Sequence, residues 1–139
     1  MNFLLDTCVI SELIKPSPHK NVVQWISGID EEHLFLSVLT IGELKKGISK
    51  LKPSQIKRQL TTWLTELTTR FNTRIIPVDL SVSVHWGATL SKLESLGKSM
   101  PVIDGLLACT ALSKGFIMVT RNGQDMQSSG VEILNPWQA

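Results

Sequence analysis

Residues 3–13 read Phe3-Leu4-Leu5-Asp6-Thr7-Cys8-Val9-Ile10-Ser11-Glu12-Leu13, an apolar run that ends in a carboxylate and passes directly into a helical pattern. The run 3–5 predicts a short buried strand, and the apolar positions behind Asp6 predict one face of a short helix. Asp6 therefore stands at the carboxyl end of a strand, the edge at which open α/β sheets bind ligands. Two roles stay open for Asp6 at this point: a cap for the helix, or a metal ligand or general base at the sheet edge.

Short apolar strands alternate with helical patterns along the rest of the chain. Further strands are predicted at residues 33–38, 74–78, 116–119 and 131–134, with helices between them and Asp79 as the N-cap of one helix. Such alternation is typical of a parallel sheet that is covered by helices on both faces. The sequence therefore predicts a single α/β domain over residues 1–139, a three-layer α/β/α sandwich with a central parallel sheet.

The composition predicts a compact soluble protein of the cytoplasm. Of the 139 residues 42% are hydrophobic, yet no apolar run approaches the roughly 18–20 residues that a membrane span needs. The N-terminus lacks the basic segment and apolar core of a signal peptide. Cys8 and Cys109 lie in apolar surroundings without paired spacing, so we expect two reduced core thiols.

A basic segment lies between residues 45 and 58. It contains Lys45, Lys46, Lys50, Lys52, Lys57 and Arg58 and no acid, although the whole chain has a net charge of only +2. A one-sided basic segment can follow the phosphate backbone of a nucleic acid. A solvated helix face has the same composition, so both interpretations stay open.

Two further acids, Glu43 and Asp104, stand near the starts of predicted helices. Glu43 lies three residues after Thr40, the spacing of a capping box, but it also lies in the first turn of a helix that follows a strand. Asp104 has apolar neighbours on both sides, in a helix so apolar that most of it must be buried. An isolated buried carboxylate is costly, and the helix dipole compensates it less well than a cation would.

Asp6, Glu43 and Asp104 can all meet at the carboxyl edge of one parallel sheet. A cluster of carboxylates suits Mg²⁺ or Mn²⁺ rather than zinc, and such sites act on phosphate groups. The sequence has no Walker loop, dinucleotide fingerprint or nucleophile elbow, so NTP-driven, hydride-transfer and acyl-transfer chemistry lose support. Asn122 and Asp125 follow the last core strand, where turn formation is the alternative explanation.

Four groups of residues, spread over nearly the whole chain, form a recognisable series. They are Leu4-Leu5-Asp6-Thr7 with Val9-Ile10-Ser11-Glu12, Ser37-x-x-Thr40-x-x-Glu43-Leu44-x-x-Gly47, Asp104-x-Leu106-x-Ala108-x-x-Ala111, and Val119-Thr120-Arg121-Asn122 with Asn135-Pro136-Trp137. In order, spacing and length, this series resembles the PIN-domain ribonucleases, and within them the VapC-like toxins of prokaryotic toxin–antitoxin pairs. Each group alone is weak evidence for the family, but the four groups together are specific for it.

The resemblance implies a PIN-like fold and an endoribonuclease that cleaves RNA with Mg²⁺ or Mn²⁺. It implies that Asp6, Glu43 and Asp104 form the acidic core of the site, and we hypothesise that Asp6 and Asp104 bind the metal. Glu43 would then hold or deprotonate the attacking water, and Thr120 or Asn122 would orient the scissile phosphate. The resemblance also implies a homodimer that assembles further with a small VapB-like antitoxin, whose C-terminal segment covers the site.

Two positions depart from the family pattern. Cys8 stands where relatives often carry Asn, so we expect the hydrogen bond of that amide to be missing. Asn122 stands where many relatives carry a fourth acid, and Asp125 is not assigned as a ligand. We therefore expect one well-held ion.

Two other functions stay open beside the endoribonuclease. The main alternative is a catalytically weakened RNA- or partner-binding module. The other is a metal-dependent phosphatase, although the common phosphatase fold would need a paired Asp-x-Asp after the first strand.

Overall fold

Five short parallel strands form the central sheet. A computed structural model describes residues 1–138, so Ala139 of the predicted domain lies outside the described residues. The strands are β1 (Phe3–Leu5), β2 (Leu34–Ser37), β3 (Ile75–Ile76), β4 (Ile117–Val119) and β5 (Ile133–Leu134), in the order β3-β2-β1-β4-β5. All neighbouring pairs are parallel, so every strand ends at the same edge of the sheet. Each predicted strand is present: β1 has the predicted bounds, and the other four strands are shorter than predicted.

Helices connect and cover these strands. They are α1 (Thr7–Leu13), α2 (Lys20–Ser27), α3 (Val38–Ser49), α4 (Gln55–Arg70), α5 (Leu80–Ser95), α6 (Val102–Lys114) and α7 (Gly123–Met126). Asp79 caps α5 as predicted, because its Oδ1 accepts a hydrogen bond from the N–H of Val82 at 3.0 Å. Over residues 1–138, the structure contains no helix with the length and apolar character needed to span a bilayer.

Both faces of the sheet are buried, because the side chains of each strand alternate between them. In β1, Phe3 and Leu5 join one core cluster, whereas Leu4 joins the other. Side chains of α1 to α4 complete the first cluster, and side chains of α6 and α7 complete the second. Helix α5 packs against α6. This arrangement confirms the predicted three-layer α/β/α sandwich around a parallel sheet.

The start of α3 differs from the prediction. The helix begins at Val38, and Ser37 is its N-cap because its hydroxyl accepts a hydrogen bond from the N–H of Leu39 at 3.0 Å. Thr40 is fully buried, and its hydroxyl has no hydrogen-bond partner within residues 1–138. Of the two interpretations left open for Glu43, the capping box with Thr40 is therefore wrong, because β2 passes into the helix one turn earlier than that box requires.

The basic segment 45–58 spans the end of α3 and the start of α4. Lys57 is partly buried and donates to the carbonyls of Ser49 and Leu51, at 3.4 and 2.9 Å. It thus satisfies carbonyl groups at the C-terminal end of α3. The other basic side chains of the segment are exposed.

A short helix, α7, follows the predicted turn at residues 120–123 and begins at the last residue of that turn, Gly123. Gly123 starts this helix close to β5, because a Cβ atom at Gly123 would lie 3.1 Å from Cγ2 of Ile133. Asn122 is the N-cap residue, although its side chain makes no capping hydrogen bond. The close approach of α7 to β5 places Asn122 and Asp125 beside the carboxyl end of β4.

Candidate active site

Asp6 lies at the carboxyl end of β1, and only 5% of it is exposed. Its N–H donates to the carbonyl of Val119 on β4 at 2.9 Å, which fixes the residue at the sheet edge. Oδ1 accepts a hydrogen bond from the N–H of Thr7, and Oδ2 accepts one from the hydroxyl of Thr120, both at 2.7 Å. Asp6 therefore caps α1 and also carries its carboxylate at the edge, so the two roles left open by the sequence are compatible.

Glu43 reaches the same edge from α3. Its Oε1 accepts a hydrogen bond from the hydroxyl of Thr7 at 2.6 Å, the short distance expected of a charge-assisted bond. Thr7 therefore positions two carboxylates, since its N–H contacts Asp6 and its hydroxyl contacts Glu43.

Asp104 lies in the first turn of α6 and is partly buried. Burial and the negative charges of Asp6, Asp125 and Glu43 raise the pKa of Asp104 to about 6. Charges shift a neighbour's pKa in this way only at short range. The structure thus brings Asp6, Glu43 and Asp104 to one edge, as the connectivity predicts, and adds Asp125 from α7.

Cys8 contacts the site, whereas the sequence suggested a simple core thiol. Its Sγ donates to Oδ2 of Asp6 over 3.6 Å and lies 3.7 Å from the hydroxyl oxygen of Thr120. Burial and the charge of Asp6 raise the pKa of the Cys8 thiol, so the thiol keeps the proton that it donates. The hydrogen bond that an amide would donate is absent, as expected, but the thiol of Cys8 supplies a weaker one in its place. Cys109 is buried and free, as predicted.

Asn122 is exposed and is linked to the site through its backbone. Its N–H donates to Oγ1 of Thr120 at 2.9 Å, and that hydroxyl in turn donates to Oδ2 of Asp6 at 2.7 Å. Thr120 is fully buried, so it positions Asp6 and has no surface at which to contact a phosphate.

The donor set fits a hard divalent cation. Carboxylate oxygens are the ligands that Mg²⁺ and Mn²⁺ prefer, and a cation would offset the repulsion that raises the pKa of Asp104. Within residues 1–138, one group of three potential ligands has donor atoms that all lie within 4.8 Å of one another, namely Asp30, Glu32 and His33. This mostly exposed group precedes β2, at the edge opposite Asp6. The site acids stand farther apart, which suits Mg²⁺ because that ion keeps several of its waters.

Comparison with known proteins identifies the family. The PIN domain profile matches residues 3–128, which include every acid at the sheet edge. The chain belongs to the PIN domain family. The VapC ribonuclease Y4jK of Sinorhizobium fredii is 32% identical over 97% of both chains. The toxin FitB of Neisseria gonorrhoeae is 33% identical over 96% of this PIN domain chain and 97% of its own.

Solved structures share the fold of this PIN domain. The crystal structure of FitAcB from Neisseria gonorrhoeae matches with a TM-score of 0.94 at 32% identity, and the match covers 99% of both chains. The structure of VapBC-1 from nontypeable Haemophilus influenzae matches with a TM-score of 0.81 at 25% identity over 100% of both chains. These matches confirm the resemblance to VapC-like toxins.

Sequence reasoning missed Thr7 and gave Asp125 too little weight in this PIN domain. Thr7 follows Asp6 directly, and a hydroxyl next to a candidate metal ligand could have indicated that Thr7 positions the site. Asp125 stands three residues after Asn122. Residues with this spacing lie on the same face only if the segment is helical. The sequence predicts a turn there, so this signal was lost.

We expect Thr120→Val to weaken both the fold and the site of this PIN domain. Valine keeps the shape, but it leaves the N–H of Asn122 without a partner and Oδ2 of Asp6 with only the weaker bond from Sγ of Cys8. The free energy of unfolding should fall by about 1–3 kcal/mol, and divalent-metal affinity should fall roughly tenfold or more. Urea unfolding and Mn²⁺ titration measure the two effects.

Thr40→Val is the matched control for this change. The hydroxyl of Thr40 has no partner within residues 1–138, so its removal should leave the free energy of unfolding unchanged or raised. If Thr120→Val were as stable as the wild type, Thr120 would not position Asp6.

Proposed function

We propose that this protein is the toxin of a toxin–antitoxin pair, an endoribonuclease that uses Mg²⁺ or Mn²⁺ to cleave the phosphodiester bonds of RNA. The observation that carries the proposal is the approach of Asp6, Glu43, Asp104 and Asp125 at one sheet edge of a PIN domain. Relatives named as a VapC ribonuclease and as a toxin support it. Because its substrate is RNA, we expect the protein to act in the cytoplasm.

Asp6 and Asp104 would hold the cation, directly or through water. A divalent cation at such a site stabilises the charge on phosphoryl oxygens and lowers the pKa of a bound water. Thr7 and Thr120 fix the Asp6 carboxylate before any ligand arrives, because each donates to a different oxygen at 2.7 Å. A ligand that is fixed in advance loses little conformational entropy on binding.

Glu43 would hold and deprotonate the attacking water. Its Oε1 is fixed by the hydroxyl of Thr7 at 2.6 Å, which leaves Oε2 to accept a hydrogen bond from water. Lys45 and Lys46 are exposed on the same helix, α3. They and the other exposed residues of the basic segment would contact the phosphate backbone of the RNA. Phosphate contacts of this kind contribute affinity but no sequence specificity.

A non-catalytic RNA- or partner-binding module is the competing function. Its main support is the amide at position 122 in place of an acid. Asp125 weakens that support, since the effect of its charge on Asp104 means that a fourth carboxylate lies near the site. In a module that binds no cation, the mutual repulsion of these carboxylates would destabilise the fold without contributing to catalysis.

The proposed partner is a small VapB-like antitoxin. The similar solved structures are those of FitAcB from Neisseria gonorrhoeae and of VapBC-1 from nontypeable Haemophilus influenzae. An apolar cavity of about 190 Å³ lies beside Glu43 and is lined in part by Ile14, Leu51 and Trp63. Ile14 and Leu51 are 40% and 39% exposed, so an apolar partner segment has side chains to contact there. A partner in this cavity would also cover Glu43.

The catalytic proposal is tested by incubating the purified protein with RNA in Mg²⁺ or Mn²⁺, with and without excess EDTA. We expect cleavage that stops in EDTA and in the presence of the antitoxin. Cleavage that persists in EDTA would contradict a metal-dependent reaction. A chromogenic phosphomonoester in the same buffer tests the phosphatase alternative, and we expect no turnover of it.

We propose a homodimer through the exposed apolar side chains of α5. Leu80 and Val84 are one turn apart and are 81% and 64% exposed. The first half of α5 lies beside the start of α6, because a Cβ atom at Gly105 would lie 3.1 Å from Nε1 of Trp86. Val102 of α6 is 57% exposed. Apolar surface of this kind is typical of a protein–protein contact.

Val84→Asp should convert the dimer to a monomer, because a charge cannot be buried unpaired in an apolar contact. Light scattering coupled to gel filtration measures the mass, which we expect to fall from twice 15.4 kDa to 15.4 kDa. Val23→Asp is the control, since Val23 is also exposed but lies on α2. A Val84→Asp protein that remains dimeric would show that the contact lies elsewhere.

Asn122→Asp should increase the affinity for Mg²⁺. The change adds a carboxylate at the end of β4, and each added ligand charge tightens divalent binding, here by roughly tenfold. Calorimetry measures the change, with Asn72→Asp as an exposed control remote from the site. Unchanged or weaker binding in Asn122→Asp would show that this side chain lies outside the site.

A further inference from the structure

A large polar cavity lies next to the acidic edge, between α7 and the chain that follows β4 and β5. Its volume is about 680 Å³, within the range of roughly 300–1,000 Å³ that ligand pockets occupy. Its walls include the carboxamide side chains of Asn122, Gln124, Gln127, Asn135 and Gln138.

The concentration of carboxamides in this cavity is unusual for the chain. The whole sequence contains five Asn and six Gln, and five of these eleven residues line this one cavity. A carboxamide carries both a donor and an acceptor, the combination that pairs with the edge of a nucleobase. Asn135 is already engaged, because its Oδ1 accepts from the N–H of Trp137 at 3.0 Å. The exposed side chains of Gln124 and Gln127 remain available for a ligand.

The cavity adjoins the candidate active site, because Asp125, whose charge acts on Asp104, is one of its lining residues. Asn122 and Asp125 line it, and the N–H of Asn122 donates to Thr120, whose hydroxyl holds Asp6. Only this short chain of hydrogen bonds separates the cavity wall from the carboxylate at the centre of the site. A molecule in the cavity would therefore lie directly beside a phosphate bound at the acids.

A guanidinium group stands at the wall of the same cavity. Arg121 lines it, and its Cζ lies 4.7 Å from the centre of the Trp137 ring. Trp137 is itself held in place, because its carbonyl accepts a hydrogen bond from Nδ2 of Asn21 at 2.8 Å. A guanidinium fixed in this way is suited to a phosphate.

We propose that this cavity binds a nucleobase of single-stranded RNA, the base that neighbours the scissile phosphate, and that Gln124 and Gln127 read its edge. The inference rests on the proposed RNA cleavage and adds to it the source of base preference. Sequence-specific proteins read RNA mostly through unstacked bases in this manner. A protein segment would fit the apolar cavities better, such as the one lined by Ile10, Leu13 and Trp63.

Gln124→Ala/Gln127→Ala tests the proposal. Binding of short single-stranded oligo-A, -C, -G and -U RNAs is measured by fluorescence anisotropy, and cleavage sites in a randomised single-stranded RNA are sequenced. We expect the wild type to favour one base by roughly tenfold or more, the discrimination of one good amide–base contact. The double variant should bind all four RNAs within about twofold. Gln24→Ala/Asn72→Ala, which removes two exposed carboxamides outside the cavity, should keep the wild-type preference.

Each other outcome overturns a defined statement. A wild type without base preference, or a double variant that keeps it, would overturn the base-binding role of the cavity. A double variant that keeps the preference but loses antitoxin binding would show a protein site instead. A wild type that discriminates between RNAs but never cleaves would refute the proposed function and leave the cavity assignment standing.

Discussion

Asp6→Asn should abolish RNA cleavage while the protein stays folded. The change removes a charge that lies 5% exposed at the sheet edge, between two hydroxyl-bearing residues that position it. We expect the cleavage rate to fall by more than about 100-fold. Removing a residue that only positions a metal ligand lowers activity by less than this, whereas this change removes a proposed ligand itself. The fold should survive, because Asn caps a helix as well as Asp does. Cleavage rates in Mn²⁺ and thermal unfolding measure the two outcomes.

Asp79→Asn is the matched control for Asp6→Asn. Asp79 also caps a helix, α5, but no strand-edge acid contacts it, so its substitution should change neither the rate nor the stability by much. Wild-type cleavage by Asp6→Asn would remove Asp6 from the site, whatever its role as a cap.

Asp104→Asn should lose cleavage and yet gain stability in the metal-free protein. Burial and three neighbouring carboxylates raise the pKa of Asp104 to about 6, from an ordinary value of 3.8. The charged form is thus disfavoured in the folded state, and Asn removes that charge. Because Asp104 is only partly buried, solvent screening reduces the gain to about 1 kcal/mol, or roughly 3 °C in Tm.

The sign of this effect depends on pH. Below pH 3.8 Asp104 is protonated in both the folded and the unfolded state, so the wild type and Asp104→Asn should have equal stability. As pH rises towards 6 and beyond, the unfolded state releases the proton first and the wild type loses stability. Thermal unfolding in EDTA from pH 4 to pH 8 measures the difference. A variant that is less stable than the wild type at pH 7.5 would show that Asp104 is held by favourable contacts.

The position of the acids could be predicted because it depends on local pattern and connectivity. Phe3, Leu4 and Leu5 are apolar enough to mark a buried strand, and Asp6 follows at its end. In a parallel sheet the carboxyl ends of all strands lie at one edge. Glu43 and Asp104 could therefore be placed at that edge once they were assigned to the first turns of helices that start there. No long-range contact had to be known in advance.

The contacts that orient the acids could not be predicted, since they join residues far apart in the sequence. Thr7 and Glu43 are 36 residues apart, and Thr120 and Asp6 are 114 apart. The capping box failed for a different reason. Ser37 offers the same kind of hydroxyl one turn before Thr40, and the end of β2 places Ser37 at the helix start.

Binding of Mn²⁺ tests most directly the central claim, that the acids at the sheet edge form a divalent-metal site. Electron paramagnetic resonance measures free Mn²⁺ in titrations of the wild type, of Asp6→Asn/Asp104→Asn and of Asp30→Asn. Asp30 is the control because it belongs to the mostly exposed acidic group at the opposite edge. We predict that the wild type and Asp30→Asn bind one Mn²⁺ alike and that the double variant does not bind it. Equal binding by the double variant and the wild type would contradict the claim.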